Sequence, residues 1–242
     1  HYQTAYRWVR SGRLPARLVK GRYLVRVDDL NRFRDERSAP RPPSRPSARR
    51  VERQAEALYE ALAGGDENAA RTVAKKLNDQ GLSVVELIDR VLAPALRRVG
   101  DDWADGSLSI AEEHRASAMV ERILGEVSPN PRGRRRGTAV AVASPGDEHV
   151  LPSTMAAVAL RSANWRVHHL GGNLPDQEVQ AFCAANPVDV VVISSATTDL
   201  SPEADALADE ISSSTAPVVR GHSGQTIGQM LDDVLAATRA AD

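Results

Sequence analysis

Trp103 is followed after nine residues by the pair Glu113-His114, and Asp147-Glu148-His149 heads the next stretch of chain. An imidazole with a carboxylate two residues away can do metal chemistry. The neutral ring ligates a transition metal while the carboxylate orients its other nitrogen. Glu113, placed at about 100° per residue, shares the apolar face of its helix with Val120, Leu124 and Val127. An inward carboxylate needs a partner or a ligand, because desolvating it alone is costly. The plain alternative is a capped surface Glu beside a core Trp. Trp103 ends a helix on the apolar stripe Val84, Ile88, Val91, Ala95 and Val99.

The elements around Asp147 and His149 give that pair a place. Thr138 to Ser144 alternates like a buried strand, and Ser144 to His149 (SPGDEH) turns the chain into a helix. In an open α/β sheet, ligands sit where strand C-termini meet such loops. The loops Leu170-Gly171-Gly172-Asn173-Leu174-Pro175 and Ile193-Ser194-Ser195-Ala196-Thr197-Thr198 fall at further strand ends.

Together these residues resemble the cobalamin-binding module of methionine synthase and, more closely, the MerR-type B12-dependent photoreceptors of the CarH/LitR family. The resemblance implies a base-off, His-on cobalamin, with adenosylcobalamin favoured. His149 would be the lower axial ligand to cobalt, oriented by Asp147. The dimethylbenzimidazole tail would enter a slot near Ser194, Thr198 and Gly221, and Gly171 and Gly172 join the cofactor-binding set. Trp103, Glu113 and His114 match the family's Trp-x9-Glu-His signature, which roofs the adenosyl side. Three positions depart from the pattern. Ala104 stands where a His follows the signature Trp and becomes the upper ligand after photolysis, Pro152 replaces the Gly of Asp-x-His-x-x-Gly, and His222 replaces the second Gly of a late Gly-Gly pair. Either His114 substitutes for the missing ligand, or light sensing is altered or lost.

Charge is split along the chain. Residues 1–50 carry 14 Lys and Arg against 4 Asp and Glu, about +10, and the remainder carries 17 against 28, about −11. A basic head on an acidic body is the footprint of a nucleic-acid-binding domain joined to something else. Tyr2 to Arg10 reads as a helix ending at Ser11-Gly12. Leu14 to Val19 is then extended, Lys20-Gly21-Arg22 is a tight turn, Tyr23 to Val27 is a second strand, and Asp28-Asp29 caps a helix through Phe33. That order resembles the winged helix-turn-helix of MerR and excisionase proteins, whose first helix is expected ahead of His1. Gln3, Thr4, Tyr6, Arg7 and Arg10 are then expected on or near a recognition helix facing double-stranded operator DNA. Lys20 and Arg22 at the wing tip meet phosphate. A small basic structural domain is the alternative.

The expected organisation is a winged helix-turn-helix over 1–37, a linker over 38–49, a four-helix bundle over 50–128 and a Rossmann-like cobalamin-binding domain over 137–242. The linker contains SAPRPPSRPS and should be extended. Gly64-Gly65-Asp66, Gly81-Leu82-Ser83 and Asp105-Gly106 separate the bundle's helices, Ser109 to Glu112 reads as a capping box, and Pro94 should bend the third helix. Strands near 138–143, 166–170, 189–194 and 217–220 alternate with helices, the mark of a parallel α/β sheet. His168-His169 is tempting as a metal pair, but strand neighbours face opposite sides, so both read as structural. His222, in a glycine loop, reads equally as a neighbour of the cobalamin tail or as a surface residue.

The remaining composition narrows the function classes. Hydrophobic residues make up 42% of 242 residues and aromatics 4%, enough for an Ala/Val/Leu-rich core. At roughly 100–200 residues per domain the chain holds two or three small ones. No apolar run reaches the ~18 residues of a membrane span, and no secretory signal is visible, although the sequence opens inside a motif. Cys183 is the sole cysteine, which excludes an internal disulfide; the cytoplasm is the expected compartment. There is no P-loop, zinc cluster or nucleophile elbow, so an enzyme is not expected. One winged helix gives a small footprint, so a homo-oligomer, tetramer or dimer, is expected on DNA. Two other readings stay open: a corrinoid methyl-carrier protein, and a regulator that has lost its cobalamin.

Overall fold

The computed structural model describes residues 2–38, 45–130, 133–196 and 202–240. Contacts divide the chain into two units, residues 1–44 and 45–242.

In the first unit, helix α1 (Tyr2–Arg10) leads to strands β1 (Arg17–Val19) and β2 (Arg22–Leu24), then helix α2 (Val27–Ser38). Lys20 and Gly21 take φ of 47° and 75°. That left-handed pair is what a two-residue hairpin turn demands, and β1 and β2 pair antiparallel around it. A small core closes the unit: Leu14 and Phe33 are buried, and the Trp8 ring lies 5.1 Å from Phe33. The second strand stops at Leu24, short of the expected Val27, and the closing helix runs past Phe33 to Ser38. Asp28 and Asp29 stand inside its first turn rather than ahead of it, where carboxylates favour the positive end of the helix.

The second unit begins with four helices. They are α3 (Ala48–Gly64), α4 (Glu67–Asp79), a third helix built from α5 (Val84–Leu87), a π turn (Ile88–Leu92) and α6 (Ala93–Ala104), and α7 (Ile110–Val127). Gly65 ends α3 at φ 76°, and the Asp66 carboxylate accepts the Ala69 N–H at 2.9 Å to start α4. Capping boxes at Ser83/Glu86 and Ser109/Glu112 start the other two. The bonds from Ser109 hold the Glu112 carboxyl below its usual pKa. A π turn precedes Pro94: the Ala93 N–H reaches back to the Ile88 carbonyl, and Pro94 follows with no N–H to place. Leu58, Leu62, Leu77, Leu87, Leu92 and Ile123 fill the core, which runs on into Met155 and Val158 of α8 (Leu151–Ser162).

The sheet holds β3 (Thr138–Ala143), β4 (Arg166–Gly171), β5 (Val190–Ser194) and β6 (Val218–Gly221), parallel in the order β4-β3-β5-β6. Its faces alternate. Ala139, Ala141, Val190 and Val192 pack with α8 and α11 (Ile227–Ala240), while Val140, Val142, Val191 and Ile193 pack with α9 (Asp176–Ala185) and α10 (Pro202–Ser214). From β3 the chain passes out to β4 on one side and back to β5 on the other. The C-terminal ends of β3 and β5 therefore border the crevice where such folds place ligands. The unit is thus a helical bundle set on a Rossmann-like parallel sheet.

Candidate functional site

A cavity of about 870 Å³ opens between the bundle and the C-terminal edge of the sheet, within the range of small-molecule and cofactor sites. Its sheet-side wall is a chain of hydrogen bonds. The Ser195 N–H bonds the Gly221 carbonyl at 2.8 Å, and the Ser144 N–H bonds the Ser194 carbonyl at 2.8 Å. The Ala196 N–H donates to Asp147 Oδ2 at 3.0 Å. Asp147 Oδ1 in turn accepts the His149 N–H at 2.9 Å and its ring Nδ1 at 2.7 Å. A carboxylate oxygen only accepts, so Nδ1 carries the proton, and in the neutral ring Nε2 then keeps its lone pair. The Asp147 side chain is 12% exposed and that of His149 74%. The anchor is covered and the imidazole presented.

Gly171 and Gly172 sit behind this loop and are not in the cavity wall. A Cβ on Gly172 would come within 3.0 Å of the Asp147 carbonyl and 3.3 Å of Val150 Cγ2, and the Asn173 N–H bonds the same carbonyl at 3.2 Å. The smallness of Gly172 lets the β4 loop close against the loop that carries His149, while Gly171, at φ 81°, has open space where a Cβ would stand. Pro152 lies in the first turn of α8, where an N–H has no intrahelical partner, so its ring breaks no bond.

The bundle-side wall is built differently. Trp103 ends α6 and is 48% exposed, so it is not a core residue; Ile110, at the start of α7, is 60% exposed. Both border the cavity, with Glu113 and His114. Glu113 has the partners that its inward position requires: Ser117 Oγ donates to it at 2.8 Å, and His114 Nδ1 lies 2.8 Å from its Oε2. Ser194 and Gly221 line the sheet side. His222 is exposed at the mouth, with Nδ1 2.9 Å from the Ser223 carbonyl. Thr198 lies outside the described residues. Sequence reading missed Gln225, whose Oε1 is buried with no hydrogen-bond partner, and Asp89 and Arg97 on the third bundle helix. A lone Gln or Asp in an amphipathic pattern carries no signal that would single it out.

The other histidines fall where strand alternation puts them. His168 stacks edge-on against Phe182 at 5.3 Å, while His169 Nε2 meets Ser153 Oγ at 3.0 Å. Burial, helped by the Arg161 charge and opposed by Glu121, holds the His169 pKa below the usual imidazole value. Burial likewise raises the Cys183 thiol. A second cavity, about 740 Å³ between α9 and α10, gathers no comparable chemistry: its Gln180 and Glu210 bond each other.

In the first unit, Gln3, Thr4, Tyr6, Arg7 and Arg10 are all exposed on α1, and Lys20 and Arg22 are exposed at the hairpin. Tyr6 also meets the Tyr23 ring at 5.8 Å, bracing α1 on the wing.

Comparison with known proteins agrees with this geometry. Residues 1–38 match the family described as a helix-turn-helix domain, and residues 54–127 match the one described as a B12 binding domain. The monomethylamine corrinoid protein of Methanosarcina barkeri shares the fold at a TM-score of 0.59 and 14% identity, over 76% of this chain and 94% of that one. The class is therefore a corrinoid-protein fold carrying a helix-turn-helix head. Over 108 residues the chain is 36% identical to the HTH-type transcriptional repressor CarH of Myxococcus xanthus, covering 44% of this chain and 36% of that protein. Over 157 residues it is 30% identical to the repressor CarA of the same organism, covering 63% and 50%. The chain is thus similar to the transcriptional repressors CarH and CarA, and it spans a third to a half of the length of these two proteins. No helix among the described residues is long and apolar enough to cross a membrane.

Proposed function

We propose that this chain is a cobalamin-dependent transcriptional regulator without enzymatic activity of its own, acting on operator DNA in the cytoplasm. The observation that carries the reading is His149: its Nδ1 is locked onto a largely covered Asp147 and its Nε2 is left free in a cavity of about 870 Å³. Among the described residues no group of three or more His, Cys, Asp or Glu could hold a free metal ion. A single presented imidazole suits a metal that arrives with its own ring of donors. Buried Gln225 Oε1, without a partner, supplies an acceptor for the amide fringe of such a ring, and the exposed Trp103 and Ile110 offer apolar cover on the opposite side.

Adenosylcobalamin is the form favoured, and bound there it would supply a cobalt able to take a protein ligand and a light-labile cobalt–carbon bond. The protein's part is to hold. His149 would hold the cobalt, Asp147 fixes the tautomer and direction of that imidazole, and Trp103, Glu113 and His114 would cover the adenosyl group. Gly172 sets the loop, and Ser194 and Gly221 would border the tail. Assembled forms that differ in how well these residues hold the ligand would shift in population with its state. The domains proposed are 1–37, 50–128 and 137–242, joined by the linker 38–49.

Incubation with adenosylcobalamin in the dark followed by desalting tests the central claim. The protein should retain a visible corrinoid spectrum, and His149→Ala should shift that spectrum and weaken retention. A colourless wild-type protein, or an unchanged spectrum and affinity in the variant, defeats the assignment. On the DNA side, binding should fall steeply with salt as phosphates are released to counterions, and Arg7→Ala should weaken it further. Salt-independent binding would remove α1 and the wing as the interface. Light scattering of apo, dark-loaded and illuminated samples reads whether a tetramer or dimer forms with the ligand.

A further inference from the structure

One carboxylate ties the third bundle helix to the sheet domain. Asp89 stands on the π turn and accepts two backbone N–H groups from the first turn of α11, Ile227 N at 2.7 Å on Oδ1 and Gly228 N at 3.1 Å on Oδ2. Both are donors that a helix N-terminus leaves without intrahelical partners, and the positive end of the helix favours the charge. The fit is close. A Cβ on Gly228 would lie 3.3 Å from Asp89 Oδ2 and 3.8 Å from Val85 Cγ1. Both elements joined here lead to the cavity. Arg97, Gly100 and Trp103 lie further along the same helix, and Gln225 and Thr226, just ahead of α11, line the opposite wall.

We propose that Asp89 is a positioning residue that fixes the third bundle helix on α11 and thereby sets how far the roof carrying Trp103 stands from the loop 221–226. It is the pivot between the two walls of the cavity. The inference deepens the cobalamin reading, which supplies the occupant that would press on this pivot, yet the joint exists in the protein alone. A π turn suits the role, since such turns interrupt the α ladder and recur at functional positions.

The experiment needs no cofactor. Spin labels on Asp101→Cys and Ala236→Cys, both exposed in the native chain, report the separation between the end of α6 and α11. Cys183 is buried and stays unlabelled. Asp89→Asn offers one acceptor and turns an amide towards the second N–H, so the distance distribution should broaden. Exchange of the Ile227 and Gly228 amides should rise at least about tenfold, the loss expected for a hydrogen bond to a charged group. The β5 amides of Val191 and Val192 should not change, which separates a freed pivot from general unfolding. Gly228→Ala attacks the same joint from its other side and should broaden the distribution as well. In an Asp89→Ala background it should add little, because the two act through one contact. Unchanged distances and exchange in both variants, or strictly additive effects, would overturn the pivot. A pivot that behaves as described in a chain that binds no corrinoid would leave this inference standing and remove the functional proposal instead.

Discussion

The two walls of the cavity are made on opposite principles. The sheet-side wall consists of loops at strand ends, locked by backbone and carboxylate hydrogen bonds that run from Gly221 through Ser195, Ala196 and Asp147 to His149. The bundle-side wall consists of helix-borne side chains at an open edge, with Trp103 and Ile110 about half uncovered and Glu113 tied to Ser117 and His114. One wall fixes a ligand direction to within a hydrogen bond, while the other offers surface that an occupant must complete. A site built this way can hold one face of a ligand constant and read differences in the other.

The most severe way to break that contrast is to cut the locked wall. Asp147→Asn presents an amide either to the Ala196 N–H or to the His149 N–H and ring. Loss of such a partner behind a metal ligand typically weakens binding about 10–100-fold. Titration of hydroxocobalamin should show that loss, and an affinity equal to wild type would mean that His149 is oriented by something other than Asp147.

Trp103→Ala sharpens the contrast from the other side. Covering the exposed half of the indole against an adenosyl group is worth roughly 1–2 kcal/mol, so affinity for adenosylcobalamin should drop about tenfold. Affinity for hydroxocobalamin, which has nothing to set against the ring, should hold. Equal losses for both ligands would show that the roof supports the fold rather than reads the upper group.

The smallest effect lies behind the locked wall, at His169. Burial lowers its pKa, with Arg161 acting in the same direction and Glu121 against it. Below the unfolded value near 6.5, the unfolded chain takes up a proton that the folded chain refuses, so stability is full at higher pH and declines as pH falls through about 6.5. The loss should be about 1 kcal/mol or less between pH 7.5 and 5.5, read as a fall in Tm that His169→Gln flattens. An equal slope in the variant would place the titration elsewhere.

How far the sequence foretold this arrangement depends on whether the feature is local. The capping box at Ser109, the strand through Ala143, the Asp147 to His149 pairing and the hairpin at Lys20-Gly21 all rest on neighbours in the chain, and all are where periodicity and turn chemistry put them. The length of α2 was not legible, because Asp28 and Asp29 serve a helix start equally well as caps or as first-turn charges. Gly172 read as a lining residue, yet its smallness serves the Asp147 carbonyl instead. Asp89 could not be read at all. Its partners are 138 and 139 residues away, and nothing near it in sequence marks a π turn beyond Pro94.

That π turn also acts as a phase setter. An α-helix advances about 100° for each residue, so the residue accommodated between Ile88 and Leu92 determines the compass bearing of everything after it. Asp89 lies at the turn and Trp103 beyond it, so both can meet the same cavity only while that offset is kept. Forcing the same residues into plain α-helix would swing Trp103 by about one residue's rotation, roughly 100°. Composition, charge and hydrophobic content would not change, yet the roof would face another direction.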